Sequence, residues 1–488
     1  MIRCAGWQCL LSAFGLLMAS LCLADARVDA CPGSSRLPDA LSLATAVSVA
    51  LCADPKLREV WLTELARQAD LDAEHSAYYP TVQGQFQKGR AGKTTRYPGF
   101  PEADSRLNSN TSVYGLNLSW VLFDFGLRAA KVESARQLLN VASSSRIEEV
   151  QKSMLATARV FYQVQANMAL LHARISAERL AANSLKAADA KYREGAGEQT
   201  DRLQAQSSYA EAQLNRVMAE GDLAAVQGEL ASQLGLSPSA PLKLVELDEP
   251  GADEGVFLGN VNSLMEQARA SHPAIEKARA DWAASQAKAD AAKAQGLPTV
   301  SLFSNYSRQD TPIEQVSTRQ EVNTWTIGVQ ITVPIFDGFL NRRRARAARY
   351  ESAAREQALH EVENSIALSV WKSRQTLESR TRALAISRLF VESASKSYEI
   401  AQGRYKAGVG SILELLRSQN DLSAATQKRV ESLVNWHNAK LQLASDLGSL
   451  NIGDRCRHRP RVIDCMDARM YCAPCTTRCV HERPKEKR

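Results

Sequence analysis

The sequence predicts a mainly α-helical chain with transmembrane β-strands, internally duplicated, whose copies share one twelve-stranded barrel continuous with a long α-helical tunnel. Three observations predict it. A unit of sequence occurs twice, each unit carries strands in which every second residue is apolar, and each continues into a helical run of roughly 65 residues nearly free of Gly and Pro. Composition agrees: 45% hydrophobic and 23% charged residues over 488 positions is the balance of a folded chain. Only 6% are aromatic, and abundant Ala, Ser, Gln and Leu suit close-packed helices better than a thick globular core.

The chain opens on an export signal. Arg3 is the positive start, Leu10 to Leu23 the apolar stretch and Ala24-Asp25-Ala26 the small-x-small site, so residues 1–26 read as a signal peptide. Leu21 before Cys22 is too large for a lipoprotein site, and Cys31 lies beyond the apolar stretch, so lipidation is not expected. No later segment reaches the ~18 consecutive apolar residues of a membrane helix, which leaves β-strands as the means of crossing a bilayer.

Duplication sets the domains. Tyr192-Arg193-Glu194-Gly195-Ala196-Gly197 recurs as Tyr405-Lys406-Ala407-Gly408-Val409-Gly410, an offset of 213. Phe123-Asp124 recurs as Phe336-Asp337, Gln206 as Gln419 and Arg216 as Arg429 at the same offset. Upstream, Asp54-Pro55 matches His272-Pro273 and Pro80-Thr81-Val82 matches Pro298-Thr299-Val300, both at 218, so the second copy lacks five residues between its strands. The expected layout is a first repeat over 27–240, a linker or equatorial segment over 241–258, a second repeat over 259–453 and a basic Cys-containing tail over 454–488.

Each repeat reads helix, strand, loop, strand, long helix, turn, helix. Asp54 has the form of an N-cap before an N1 proline, and the helix runs to about His75; His272 is a poorer cap for the equivalent helix. Among the strands, Tyr114, Leu116, Leu118, Trp120 and Leu122 alternate with Gly115, Asn117 and Ser119. Trp325, Ile327, Val329, Ile331, Val333 and Ile335 alternate with Thr326, Gly328, Gln330, Thr332 and Pro334. Val82, Gly84 and Phe86 alternate with glutamines, and Val300, Leu302 and Tyr306 with Ser301 and Asn305. Such strands are long enough for a bilayer, with Leu116, Leu118, Trp120, Trp325, Ile327, Val329 and Ile331 as the lipid face and small polar groups toward a lumen; a water-soluble sandwich face is the alternative. Four strands cannot close, and open edges are not tolerated in lipid, so several chains must share the barrel. Two chains give an interior filled by side chains, whereas three are the smallest number that leaves an aqueous bore. The Gly- and Pro-poor runs from Leu127 and Asn341 are each about 100 Å long as helix, too long for a compact domain.

The order of these duplicated motifs, from Leu41 to Leu450, resembles the TolC-type outer-membrane factors, and within them the unlipidated components of type I secretion systems. The resemblance implies a homotrimeric conduit in outer-membrane lipid that reaches into the periplasm and meets an adaptor (membrane fusion) protein joined to an inner-membrane pump, ABC-type or other. It implies passage of a secreted protein toxin, with multidrug or metal efflux as the alternative. Carried over position by position, Tyr192, Gly195, Gly197 and Thr200 with Tyr405, Gly408 and Gly410 become the periplasmic tips that dock the adaptor, although the glycines also serve as helix caps. Ile412 departs from the pattern of the first tip, so docking is expected to be asymmetric. Members close the tube with an acidic ring near the tip; Glu399 is the carboxylate best placed for such a constriction, with Lys186 at the matching position of the first repeat, and a solvated Glu is the alternative.

Charge and cysteine patterns fill in the rest. The formal charge of +7 belongs almost wholly to the tail from Arg455 onward, so a nearly neutral body gives no reason to expect nucleic acid. The run Arg342-Arg343-Arg344-Ala345-Arg346 opposes the dipole of the helix it opens; anionic headgroups, cargo in the tunnel or a solvated face would each account for it. Cys31 and Cys52 are a candidate disulfide in an oxidising compartment. Cys472 and Cys475 are a weak zinc candidate in a tail that reads as disordered, and no metal or other cofactor is expected. Scattered histidines with no nucleophile elbow or phosphate loop argue against an enzyme. A periplasmic adaptor would need one hairpin rather than two, and a coiled-coil scaffold would lack the strands.

Overall fold

The computed structural model describes residues 40–245, 260–313 and 318–450. The signal peptide, Cys31, most of the 241–258 segment and the tail with Cys472 and Cys475 lie outside the described residues. The first repeat is built of α1 (Leu43–Ala53), α2 (Pro55–Ser76), β1 (Thr81–Thr95), β2 (Ser105–Phe123), α3 (Leu127–Arg193) and α4 (Gln199–Gln233). The second is built of α5 (Val261–Ser271), α6 (Pro273–Ala294), β3 (Thr299–Ile313), β4 (Thr318–Thr332), α7 (Leu340–Lys406) and α8 (Ile412–Asp446). Every pair of equivalent helices has the same length, and β3 equals β1, so the two offsets read from the sequence are structural equivalences. The five lost residues fall in the strand-to-strand connection, Thr95 to Ser105 in the first repeat and Ile313 to Thr318 in the second. Short helices α1 and α5, which precede each capped proline, are additions to the predicted order.

Local chemistry accounts for the boundaries. Ser42 caps α1, and Asp54 caps α2 by accepting from the Lys56 backbone N–H at 2.8 Å. His272 is a better cap than its residue type suggests, because its ring Nδ1 accepts from the Ala274 N–H at 3.1 Å. β4 ends at Thr332 although the alternation runs on to Ile335, since Pro334 has no N–H for a ladder. Both long helices, α3 and α7, run unbroken for 67 residues, about 100 Å.

The four strands form one antiparallel sheet in the order β1-β2-β3-β4, so the two repeats join edge to edge through β2 and β3. The ladders leave β1 and β4 as outer strands. Below the sheet, α2 packs on α3, α3 on α6 and α6 on α7, the same succession carried into helices. Each long helix also packs along its return helix, α3 with α4 and α7 with α8. Two equivalent cores hold the hairpins: Val160, Phe161, Val164, Leu230 and Leu234 close around α1, while Val370, Leu377, Trp436, Leu443 and Leu447 close around Ala268 of α5. Residues 241–245 of the connecting segment are held to the first repeat, where Leu41 and Leu244 form a parallel bridge.

At each strand-to-helix exit the chain turns through two left-handed residues, Phe125 and Gly126 in one repeat, Gly338 and Phe339 in the other. The preceding aspartate anchors the turn. Asp124 accepts from the Arg128 N–H at 3.0 Å, and Asp337 from the Asn341 N–H at 2.9 Å. Arg128 also pairs with Asp124 and donates to the carbonyls of Ala77 and Val121, tying α2, β2 and α3 together.

Candidate functional site

The sequence-predicted site residues fall on two surfaces of the chain: one face of the sheet and the hairpin tips. Parity fixes the first. Across the ladders Gly84, Leu116, Tyr306 and Trp325 form one row, and Val82, Leu118, Ser304 and Ile327 the next. Trp120, Leu302 and Val329 follow, then Val300 and Ile331, all on the same face. Trp325, Ile327, Val329 and Ile331 are between 60% and 74% exposed, too large an apolar surface to leave in water. Leu116 and Trp120 are exposed beside them and Leu118 is half-buried. Gln83, Gln85, Gln87, Asn117, Asn305, Thr326 and Gln330 fill the opposite face, which suits water.

The tips are built by one motif used twice. Gly195, at φ 72°, ends α3, with its own N–H bonded to the Tyr192 carbonyl and the Ala196 N–H to that of Lys191. Gly408, at φ 79°, ends α7 through the matching bonds from Gly408 to Tyr405 and from Val409 to Arg404. The second glycine of each motif answers a different need. A Cβ at Gly410 would sit 3.0 Å from the Tyr405 nitrogen and the Arg404 Cβ, and one at Gly197 3.0 Å from the Lys191 Cβ. Both glycines of the motif are therefore required by the turn itself.

Between the tips lies a small core of Ala188, Ala205, Tyr398, Tyr405, Ile412 and Leu415. Lys191 crosses from the first hairpin to the second. Its Nζ donates to the Tyr405 carbonyl at 2.6 Å and sits 4.0 Å from the centre of the Tyr405 ring. Burial, and then the negative charge of Asp201, push the Tyr405 hydroxyl pKa up, so the phenol stays neutral. Tyr192, the counterpart of Tyr405, is exposed under Arg202, and Arg202 and Arg193 both pair with Asp189. The tips differ in local structure: Ile412 is buried, and Ser411 before it caps α8. At the first tip the equivalent positions are the exposed Gln199 and Glu198, which makes no side-chain cap and accepts instead from Thr200. Glu399 is exposed on α7 in a shallow groove with Arg388, Glu392, Lys396 and Arg429. Lys186 is also exposed, and no ion pair between the two is found among the described residues of one chain. The contact of Lys191 with Tyr405 was not legible in the sequence, because the two lie 214 positions apart. Cys52 is exposed on α1. No metal-holding group of side chains and no membrane-length apolar helix is found among the described residues.

The profile of the outer membrane efflux protein family matches residues 46–236 and 264–449, one span for each repeat. The chain belongs to this family. It is 30% identical over 421 residues to Protein CyaE of Bordetella pertussis, covering 86% of each chain. It is 25% identical over 378 residues to the solvent efflux pump outer membrane protein SrpC of Pseudomonas putida, covering 76% of this chain and 77% of that one. The solved outer-membrane channel OprN superposes with a TM-score of 0.72 at 20% identity, over 84% of this chain and 90% of that one. The protein is therefore an outer-membrane efflux channel that extends into the periplasm, of the kind that works in tripartite systems, and its sheet is one chain's share of the barrel wall. Members of this family are channels rather than enzymes.

Proposed function

We propose that three copies form the exit duct of a type I secretion system, passing a secreted protein toxin from an inner-membrane ABC-type pump and a periplasmic adaptor to the outside. The observation that carries the duct is the open four-stranded sheet with one apolar and one polar face. Its unpaired edges require other chains in lipid, and three give a bore. Secretion rather than small-molecule efflux is supported by the greater identity and coverage with CyaE than with the solvent pump protein, together with the resemblance to unlipidated secretion components. That solvent pump relative favours the second reading, efflux of drugs, solvents or metals.

Adaptor docking belongs to the paired tips, around Tyr192, Gly195, Gly197 and Thr200 and around Tyr405, Gly408 and Gly410, and the constriction to Glu399 three times over. Deleting the gene tests the cargo: a secreted protein retained inside the cell supports secretion, whereas sensitivity to solvents or drugs with normal protein secretion defeats it. Glu399→Gln should raise single-channel conductance and weaken cation preference in planar bilayers; unchanged conductance removes Glu399 from the constriction.

A further inference from the structure

The succession α2, α3, α6, α7 has two unfinished ends, as the sheet has. Helix α3 is packed by α2 on one side and α6 on the other, and α6 by α3 and α7. By the duplication α2 is the counterpart of α6 and α7 that of α3. The contact that α3 makes with α6 inside the chain therefore has one unrealised equivalent, α7 of one copy against α2 of the next. This step rests on the proposal that several copies share the barrel.

The internal contact supplies the register. Ser134 of α3 donates to the Ala284 carbonyl of α6 at 3.2 Å. Adding 213 to the first position and subtracting 218 from the second brings Ala347 over Ala66. Ala66 lies in a shallow groove on α2 with Glu59, Leu62, Thr63, Arg67 and Asp70. Apart from Arg67, these share one helix face by their spacing. Glu64, which pairs with Arg146 of α3, and the buried Leu57 and Leu71 mark the opposite face. The groove is thus turned away from α3, where the equivalence requires a partner.

Charge then distinguishes this seam from the internal contact. Toward the barrel from Ala347, the α7 positions on the seam face are Arg344 and Arg343, both exposed, where α3 has Lys131 and Ala130. Toward the barrel from Ala66, α2 presents Asp70 and Glu74, where α6 has Lys288 and Ala292. One helix gains positive charge and the other negative at positions the register brings together. Lower down the seam is not ionic: the internal pair Lys277–Glu148 maps onto Glu59 and Glu361, and Glu59 is held by Lys56. Asp70 is 61% exposed and bound within its chain by the exposed Arg67, a surface pair weak enough to be exchanged.

We propose that Arg343 and Arg344 of one protomer pair with Asp70 and Glu74 of a second copy of this chain, forming an ionic seam just below the barrel. The otherwise unfavourable run of arginines at a helix N-terminus is thereby neutralised by the neighbouring subunit.

Two arms test it on the full chain extracted from outer membranes. Oxidation of the Ala66→Cys plus Ala347→Cys variant should give a ladder ending at covalent trimer, above the background of the native cysteines. The Ser134→Cys plus Ala284→Cys control should close within one chain and give no ladder. In the charge arm, Arg343→Glu with Arg344→Glu should abolish the detergent-resistant trimer at unchanged helical content. Adding Asp70→Arg with Glu74→Arg should restore it. A monomer by size exclusion, with native sequence, overturns the shared-barrel reading itself. A trimer with no ladder overturns the register, and a trimer indifferent to the reversal, or lost without rescue by the swap, overturns the ionic seam. Loss without rescue would leave anionic headgroups as the partner of the run.

Discussion

The two glycines of each tip do different jobs. Gly408 holds a left-handed conformation with open space around its absent Cβ, so Gly408→Ala should cost about 1 kcal/mol through backbone strain alone. Gly410 is conformationally ordinary but lies against the α7 backbone, so Gly410→Ala must push the turn away from Arg404 and Tyr405. Both should speed proteolysis at residues 407–411 without lowering the melting temperature of the barrel, and Gly410→Ala should do so more. Equal protection of the two variants would remove the distinction. The repeated motif was legible because it is local, each glycine answering to atoms within six residues.

His272 shows what a local reading misses. Histidine is a poor cap by residue type, yet here it caps with a neutral ring nitrogen while Gly448 at the end of α8 packs against its backbone. Burial lowers its pKa below the usual value near 6.5, against the opposing pull of Asp446 and Glu148. The unfolded chain takes up the proton first as pH falls. The contribution of His272 is therefore complete above about pH 6.5 and is lost as pH drops through the lower folded value. His272→Asn supplies a cap that does not titrate and should flatten this part of the pH dependence of thermal unfolding; an unchanged slope would clear His272 of it. Arg128 was equally hidden, since Ala77 and Val121 are brought to it only when strand and helices assemble.

At the scale of elements, the lack of Pro, and of Gly except Gly403 in α7, fixed α3 and α7 to within a few residues, because a helix of that length needs little more than sustained propensity. What joins the hairpins is another matter. Lys191 links α3 to the end of α7 by one hydrogen bond and one cation–π contact, and Arg404, its counterpart, turns instead to Glu414 at 3.7 Å. The repeats thus match in the lengths of their helices and differ in how their tips are tied. Lys191→Met removes the tie while keeping the stem, at a cost of about 1–2 kcal/mol. The expected outcome is faster amide exchange in residues 400–415 and higher channel conductance, with Lys191→Arg close to the native chain. Unaltered exchange and conductance would mean that the core around Ile412 and Leu415 holds the tips unaided.

For the whole molecule the decisive asymmetry is between the faces of the sheet, and it can be tested with one residue pair. Ile327 and Thr326 are neighbours in β4, and the register turns them to opposite faces. If the Ile327 face meets hydrocarbon, Ile327→Arg forces a guanidinium into lipid and should cost about 2–4 kcal/mol near the bilayer centre. Thr326→Arg would place the same charge in a water-filled lumen, costing little stability but lowering cation conductance through electrostatic repulsion. Urea unfolding from lipid vesicles measures the first effect and planar-bilayer recordings the second. A soluble sandwich would reverse the stability order, since the guanidinium of Ile327→Arg would be solvated while a charged side chain facing a packed second sheet would not. The alternation in the sequence favours the membrane wall but does not exclude a soluble sandwich face. Membership of the outer membrane efflux protein family decides for the wall, and in lipid the open edges at β1 and β4 then need neighbouring chains.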